Sequence, residues 1–573
     1  MAVQKQKKIN GEVVRWIAKY SGTKGKVYIA IIAVLQMISG LTGAWYALLV
    51  RNVVDEAVEG NKEGFFLNAI YFVALVLFQL VLAALVNRLT ELSKSTMENA
   101  FKERLFDGIL RRDFAHVCAV HSGEWLNRLT SDTKVVADGF TDIIPSFCGM
   151  VVRFISALVM ILVIDWKIAA ILIPCGILLG ICTYALRGKL KSLHKEVQAT
   201  DGLLRIFLQE NIASLMLVRS FAAEEDTMDK AREQMEKHKK IRMKRNTISN
   251  LTSMGFRLAM NGMYIFGICY GGYGILQGEI GYGTLMALTQ LINQLQAPIV
   301  NITGTLPRIF TMTASAERLM EIEKFDPAGC DERLSKEEVL QIYRDSFSEL
   351  GLRDVEYTYF PPSDRGGEFS KEKMPVAVSG VTLNVEKGQY VAFSGHSGCG
   401  KSTIIKLLMN IYTPDKGEEY IRIGETEEPL TEKWRNLFAY VPQGNFLMSG
   451  TIRDIVSFAN PEGKNDDAGI LEALRISEAK DFIDELEDGI DTLLGERGTG
   501  LSEGQMQRIA IARAVYSGRP VMLLDEATSA LDEKAERAVL SNLRAMTDKT
   551  VIIITHRPAA FEICDKVVKL GEK

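Results

Sequence analysis

Gly395-His396-Ser397-Gly398-Cys399-Gly400-Lys401-Ser402-Thr403 decides how the rest of this 573-residue sequence is read. A glycine, four residues and then Gly-Lys-Ser is the spacing of a loop that cradles phosphate. The apolar run 390–393 precedes it and the helical run 404–408 follows, which is the strand–loop–helix context the motif needs. The glycines permit a tight turn whose N–H groups converge on anionic oxygens, and the following helix presents its positive end to the same charge. In that frame Lys401 reaches the β- and γ-phosphates and Ser402 offers a hydroxyl to Mg2+.

Outward from this loop the chain divides into unlike halves. Hydrophobic residues make up 47 % of the whole, but long apolar runs crowd the part before about residue 310. Beyond about residue 325 the composition is that of a soluble α/β domain. A net charge of −4 argues against a nucleic-acid binder, which is usually basic. The eight cysteines form no Cys-x-x-Cys pair and sit beside no histidine cluster, so neither a zinc site nor a disulfide framework is expected. Cys148, Cys175, Cys182 and Cys269 fall in apolar runs, as small hydrophobes do. No short apolar segment with a cleavage site follows the basic N-terminus, so a signal peptide is not expected.

Six apolar runs, at roughly 27–53, 65–86, 143–164, 168–186, 251–277 and 282–309, approach or exceed the ~20 residues needed to cross a bilayer. Short turns join them in pairs, whereas 88–142 and 187–250 are long, charged and compatible with helix. Arg104, Arg111, Arg112, Lys189, Lys191, Lys239, Lys240, Arg242, Lys244 and Arg245 lie in these connections, which places them in the cytoplasm with both termini. Breaks near His121-Ser122-Gly123 and Asn211-Ile212-Ala213-Ser214 predict a short transverse helix at each tip. An amphipathic stretch at 10–20, carrying Trp16, is expected to lie along the membrane surface. Arg153, Arg257 and the group Gln290, Asn293, Gln294 and Gln296 ahead of Pro298 interrupt the spans. Polar groups there either satisfy one another or line a wet cavity.

In the second half, 521–524 is an apolar run ending in Asp525-Glu526, the pattern of a buried parallel strand with two carboxylates at its tip. Asp525 is placed to hold Mg2+ and Glu526 to polarise water. A second buried strand, 550–555, ends at His556, at the ligand-binding edge of such a sheet. Leu501-Ser502-Glu503-Gly504-Gln505 opens a helix with Ser502 as its cap. That is a second anion site, surplus to one nucleotide unless it serves a nucleotide held by another copy.

These residues together resemble the half-size ATP-binding cassette (ABC) exporters over essentially the whole chain. The expected fold is multidomain: an all-α six-helix transmembrane domain (1–320), a linker (321–340) and an α/β P-loop nucleotide-binding domain (341–573). The resemblance implies ATP and Mg2+ as cofactors. It matches Gly395, Ser397, Gly398, Cys399, Gly400, Lys401, Ser402 and Thr403 to the phosphate loop and Tyr359 to the aromatic that stacks on adenine, with Tyr357 the weaker candidate. Glu526 matches the catalytic glutamate, His556 the switch histidine and Gln443 the lid glutamine that touches Mg2+. Ser502, Gly504 and Gln505 match the signature, and Asp532 a loop that crosses the dimer interface. Residues 121–129 and 210–221 resemble the two intracellular loops that dock on nucleotide domains. Glu503 stands where glycine is commonest, the loop 361–373 is longer than usual, and a peptidase-like N-terminal domain is absent from the pattern. The implied protein is an ATP-driven exporter in a bacterial plasma membrane, paired with a second copy or a related half-transporter. Its cargo is a polar or amphiphilic drug, peptide or lipid-like molecule. A gated channel or an importer on the same architecture is the alternative; no nucleic-acid partner is expected.

Overall fold

The computed structural model describes residues 11–327, 333–361, 371, 374–444, 447–495, 498 and 500–571. The side chains of 171–173, 175–191, 195, 256, 297–304 and 306 lie outside that description, as do the basic N-terminus and most of the loop 361–373. The chain forms two compact units, Met1–Glu103 with Thr130–Glu317, and Arg104–Leu129 with Arg318–Lys573.

The first unit is helical. It contains α1 (Gly11–Tyr20), α2 (Gly22–Glu59) and most of α3 (Lys62–Arg111). Two short helices of the second unit, α4 (Phe114–Ala119) and α5 (Ser122–Asn127), intervene in the chain. The helical unit resumes with α6 (Thr133–Ile164), α7 (Trp166–Ala213), α8 (Leu215–Ser220), α9 (Glu224–Leu276) and most of α10 (Tyr282–Met320). Each expected span falls on one of the six long helices, and the charged connections continue the same helices beyond the apolar runs. Among the described residues, three segments are long and apolar enough to cross a membrane: Gly22–Glu59, Lys62–Arg111 and Ser122–Ile164.

Ala47, Ala157, Ile161, Ile168, Leu288 and Leu291 form a buried seam in this unit. Two of the amides expected near a cavity tie helices together instead: Gln294 Nε2 donates to Gly43 O at 2.7 Å and Gln296 Nε2 to Met260 O at 3.0 Å. Asn293 and Arg257 stay exposed and Arg153 is half-buried. The apolar face of α1, expected on a membrane surface, is taken up by protein: Val13, Trp16 and Ile17 are buried, and Trp16 stacks on Phe101 at 5.8 Å.

The second unit holds two sheets. β1 (Phe347–Thr358), β2 (Val376–Glu386), β4 (Lys416–Ile423) and β5 (Thr426–Pro429) form an antiparallel sheet in the order β2-β1-β4-β5. β3 (Tyr390–Ser394), β6 (Phe438–Val441), β9 (Val521–Asp525), β10 (Thr550–Ile554) and β11 (Lys566–Lys569) form a parallel sheet in the order β11-β3-β10-β9-β6. A small pair, β7 (Gly450–Thr451) and β8 (Leu493–Leu494), stands apart. β9 and β10 are buried at every position, because a parallel strand covered on both faces must be apolar throughout. The helices are α11 (Lys336–Asp345), α12 (Lys401–Leu408), α13 (Ile452–Ser457), α14 (Asp467–Ile476), α15 (Lys480–Asp484), α16 (Glu503–Tyr516), α17 (Glu533–Arg544) and α18 (Pro558–Glu562).

Two features depart from the expected division of the chain. α11 begins inside the stretch expected to be linker, because Ser335 and Glu338 form a complete capping box at its start. Residues 104–129, assigned by sequence to the membrane domain, cluster with the cassette.

Candidate nucleotide site

β3, β9 and β10 run parallel, so their carboxyl ends open on one edge, where ligands bind in such sheets. The phosphate loop leaves β3 at this edge and feeds α12. Gly400 sits at φ +93°, and a Cβ there would lie 2.7 Å from Ala377 O, so only glycine fits the turn. Ser397 is exposed and Cys399 half-buried in the loop. Lys401 is buried; its ammonium donates to Gly395 O at 2.8 Å and His396 O at 3.0 Å, curling over the loop that would hold the phosphates.

Ser402 Oγ donates to Asp525 Oδ1 at 3.0 Å, so the hydroxyl that opens α12 meets the carboxylate that ends β9. Asp525 is only 1 % exposed. Burial pushes its carboxyl up from the ordinary range, bonds from Ser402 and Tyr440 pull it down, and Glu526 pushes it up again. A buried carboxylate beside a hydroxyl and a phosphate loop fits Mg2+, which takes one or two protein oxygens and completes its shell with phosphates and water. Among the described residues no group of three or more His, Cys, Asp or Glu offers a separate protein cage.

Glu526 lies just past the strand at φ +51°, with its N–H donating to Ile554 O at 3.0 Å. Its Oε2 accepts a hydrogen bond from Gln443 Nε2 at 2.8 Å. His556, two residues beyond β10, is exposed. Tyr359 Oη and Thr403 Oγ1 share a hydrogen bond at 2.8 Å, which sets a half-buried ring against the start of α12. Tyr357 is buried and stacks on Tyr412 at 5.0 Å, so the core already covers its face.

The signature residues gather at the start of α16. Ser502 Oγ accepts from Gln505 N at 3.3 Å and Gln505 Oε1 accepts from Ser502 N at 2.8 Å, a reciprocal cap. A Cβ on Gly504 would stand 2.8 Å from Ala530 O, so glycine lets α16 approach the loop at 529–532. Asp532 caps α17 by accepting from Ala535 N at 2.9 Å, and that bond lowers its pKa.

Three residues that sequence reasoning did not single out support this arrangement. Gln507 bonds Ser529 Oγ and Ala530 N, each at 3.0 Å. Arg557 donates to Leu531 O and Ser529 O at 2.7 and 2.6 Å. Tyr440 Oη donates to Asp525 Oδ2 at 3.3 Å. Only proximity to His556 and Gln443 in sequence could have flagged Arg557 and Tyr440.

Two family models match the chain: ABC transporter transmembrane region over residues 29–299 and ABC transporter over residues 378–529. The chain belongs to the ABC transporter family, as a membrane region fused to a cassette that binds and hydrolyses ATP. It is similar to the ATP-dependent lipid A-core flippase of Syntrophus aciditrophicus (strain SB), 27 % identical over 94 % of this chain and 87 % of that protein. It is also similar to the multidrug resistance ABC transporter ATP-binding and permease protein of Lactococcus lactis subsp. lactis, 26 % identical over 93 % and 88 %. ABC transporter B family member 1 of Dictyostelium discoideum is 28 % identical over 82 % of this chain, which spans about half (50 %) of that relative's length.

Proposed function

We propose that this chain is an ATP-driven exporter that works as a homodimer, with Mg2+ at Ser402 and Asp525 and Gln443 reaching the same ion. The observation that carries the reading is the pair of bonds at the tip of β9. Ser402 holds Asp525 beside the phosphate loop, and Gln443 holds its neighbour Glu526. One carboxylate is thereby committed to the cation side and the other is oriented as a base for water. Mg2+, when bound, neutralises charge that develops on the phosphates.

The remaining assignments follow the same frame. Gly395, Ser397, Gly398, Cys399, Gly400 and Thr403 wrap the phosphates with Lys401, Tyr359 stacks on adenine, and His556 contacts the γ-phosphate. Ser502, Gly504, Gln505 and Asp532 serve the nucleotide of the second copy. A two-fold axis makes the two composite sites equivalent. Tighter binding of ATP to the closed pair shifts the membrane region between inward and outward access. The charged connections favour an orientation with the cassette and both termini on the cytoplasmic side, and the membrane is proposed to be a bacterial plasma membrane. The names of the flippase and multidrug relatives favour an amphiphilic cargo, as do the exposed Asn293 and Arg257 within apolar helices.

The test is Glu526→Gln in the purified full chain in lipid. Positioning of a general base is worth ~10²–10⁴ in rate, so turnover should fall by that factor while ATP binding persists. Near-normal turnover would remove Glu526 from this role.

A further inference from the structure

The end of β6 and the residues just after it reach Asp525, which ends β9, and Glu526, which follows it. β6 runs parallel to β9 with Tyr440 in register with Leu523, two residues before Asp525. From that strand end Tyr440 Oη donates to Asp525 Oδ2 at 3.3 Å, and Gln443, three residues on, donates to Glu526. Asp525 Oδ1 is occupied by Ser402 Oγ. The Asp525 carboxylate is buried, so each of its oxygens needs a donor or a cation. With Oδ2 held by the phenol, the carboxylate cannot swing, and Oδ1 stays turned toward the hydroxyl that opens α12.

We propose that Tyr440 is a positioning residue for the metal site: its hydroxyl fixes the orientation of Asp525 and so sets the affinity for the divalent cation. The proposal rests on the assignment of Ser402 and Asp525 to Mg2+. Outer partners of metal ligands are typically worth 10–100-fold in metal affinity. Tyr440 also packs beside a hydrophobic core cluster that contains Tyr412, so its ring has a structural role that must be kept apart from the hydroxyl. Tyr440→Phe keeps the ring and removes only the donor. The placement also connects the metal site to the lid, because the strand that carries Tyr440 leads directly into Gln443.

The experiment measures Mn2+ binding by electron paramagnetic resonance on the purified full chain with a non-hydrolysable ATP analogue, adenylyl imidodiphosphate. Tyr440→Phe should raise the Mn2+ dissociation constant at least tenfold and raise the Mg2+ concentration for half-maximal ATPase in parallel. Binding of the analogue in EDTA should stay that of the parent, and the variant should keep a cooperative thermal transition whose midpoint falls only by the cost of one unsatisfied buried acceptor. A Mn2+ constant within twofold of the parent overturns the proposal. A second arm is Asp525→Asn, alone and combined with Tyr440→Phe. If Tyr440 acts through Asp525, the double variant binds Mn2+ no more weakly than Asp525→Asn alone; a further loss overturns the proposal. Parental Mn2+ binding in Asp525→Asn overturns the metal-site assignment itself, whatever Tyr440→Phe shows.

Discussion

The two helical tips that interrupt the long helices are built alike and end differently. The first, α4 and α5, is tied into the cassette's own unit. Trp125 is buried and its Nε1 donates to Val117 O at 3.0 Å. Phe114 meets Tyr412 at 5.9 Å and His116 meets Phe360 at 4.1 Å between ring centroids. The second tip, α8, is as short and as apolar, yet Met216 is 88 % exposed and Phe221 76 %. Apolar side chains grouped on an exposed tip mark an interaction surface. On the homodimer proposal, that surface docks on the cassette of the partner copy, so each cassette takes one tip from each chain.

The comparison breaks most visibly at Arg128. Its side chain is 1 % exposed, pairs with Glu124 at 3.1 Å and Glu321 at 2.7 Å, and donates to Arg318 O at 3.0 Å. Removing one partner of a buried ion pair costs ~3–5 kcal/mol, because the carboxylates left behind are uncompensated. Arg128→Ala should lower the thermal midpoint of the purified chain and expose the amides of 114–129 to hydrogen exchange. Amides of α8 should exchange as before. Equal loss of protection at both tips would mean that they are held in the same way.

A smaller effect is expected at the second tip. Met216→Asp or Phe221→Asp should leave single-chain stability within ~0.5 kcal/mol, as for surface changes generally. Each removes the ~1.5–3 kcal/mol gained when such a side chain becomes buried against a partner. ATPase activity and the dimer fraction by mass measurement should therefore fall by roughly tenfold or more. Parental values of both in each variant would separate α8 from any docking role.

What was legible in the sequence follows from where the information sits. β9 and β10 were readable because the runs 521–524 and 551–554 are apolar, as a strand covered on both faces requires, and Glu526 and His556 mark where cover ends. The long helices were readable because their charged ends lack turn residues. α11 was hidden by the acidic composition around it, although Ser335 and Glu338 carried its start signal. Tyr440 carries no signal in the sequence beyond its place three residues before Gln443. Its bond to Asp525 depends on the register of β6 against β9, which no local pattern encodes. Gln507 and Arg557 escaped for the same reason, since their partners lie more than twenty residues away. The unequal fate of the two tips was equally invisible, because both read as breaks between helices.

The smallest expected effect separates the two tips by pH. Glu419 on β4 belongs to the unit that holds the first tip. It is buried, with Asn410 Nδ2 donating to Oε2 at 2.9 Å, and Oε1 has no hydrogen-bond partner among the described residues. Burial pushes its carboxyl up to about 8, and the Asn410 bond opposes that rise. The folded cassette therefore keeps this proton up to about pH 8, whereas the unfolded chain loses it near the ordinary carboxylate value of 4.5. Between those values the folded state binds more protons than the unfolded one, so stability falls as pH rises, by at most ~1.4 kcal/mol per pH unit. Hydrogen exchange run at pH 5.5 and pH 7.5, corrected for intrinsic rates, should show protection lost in the cassette strands and at 114–129, with little change at α8. Glu419→Gln keeps the shape and cannot ionise, so it should flatten that slope and raise the thermal midpoint at pH 7.5 more than at pH 5.5. An unchanged slope in Glu419→Gln would place the pH dependence elsewhere and leave the first tip without this handle.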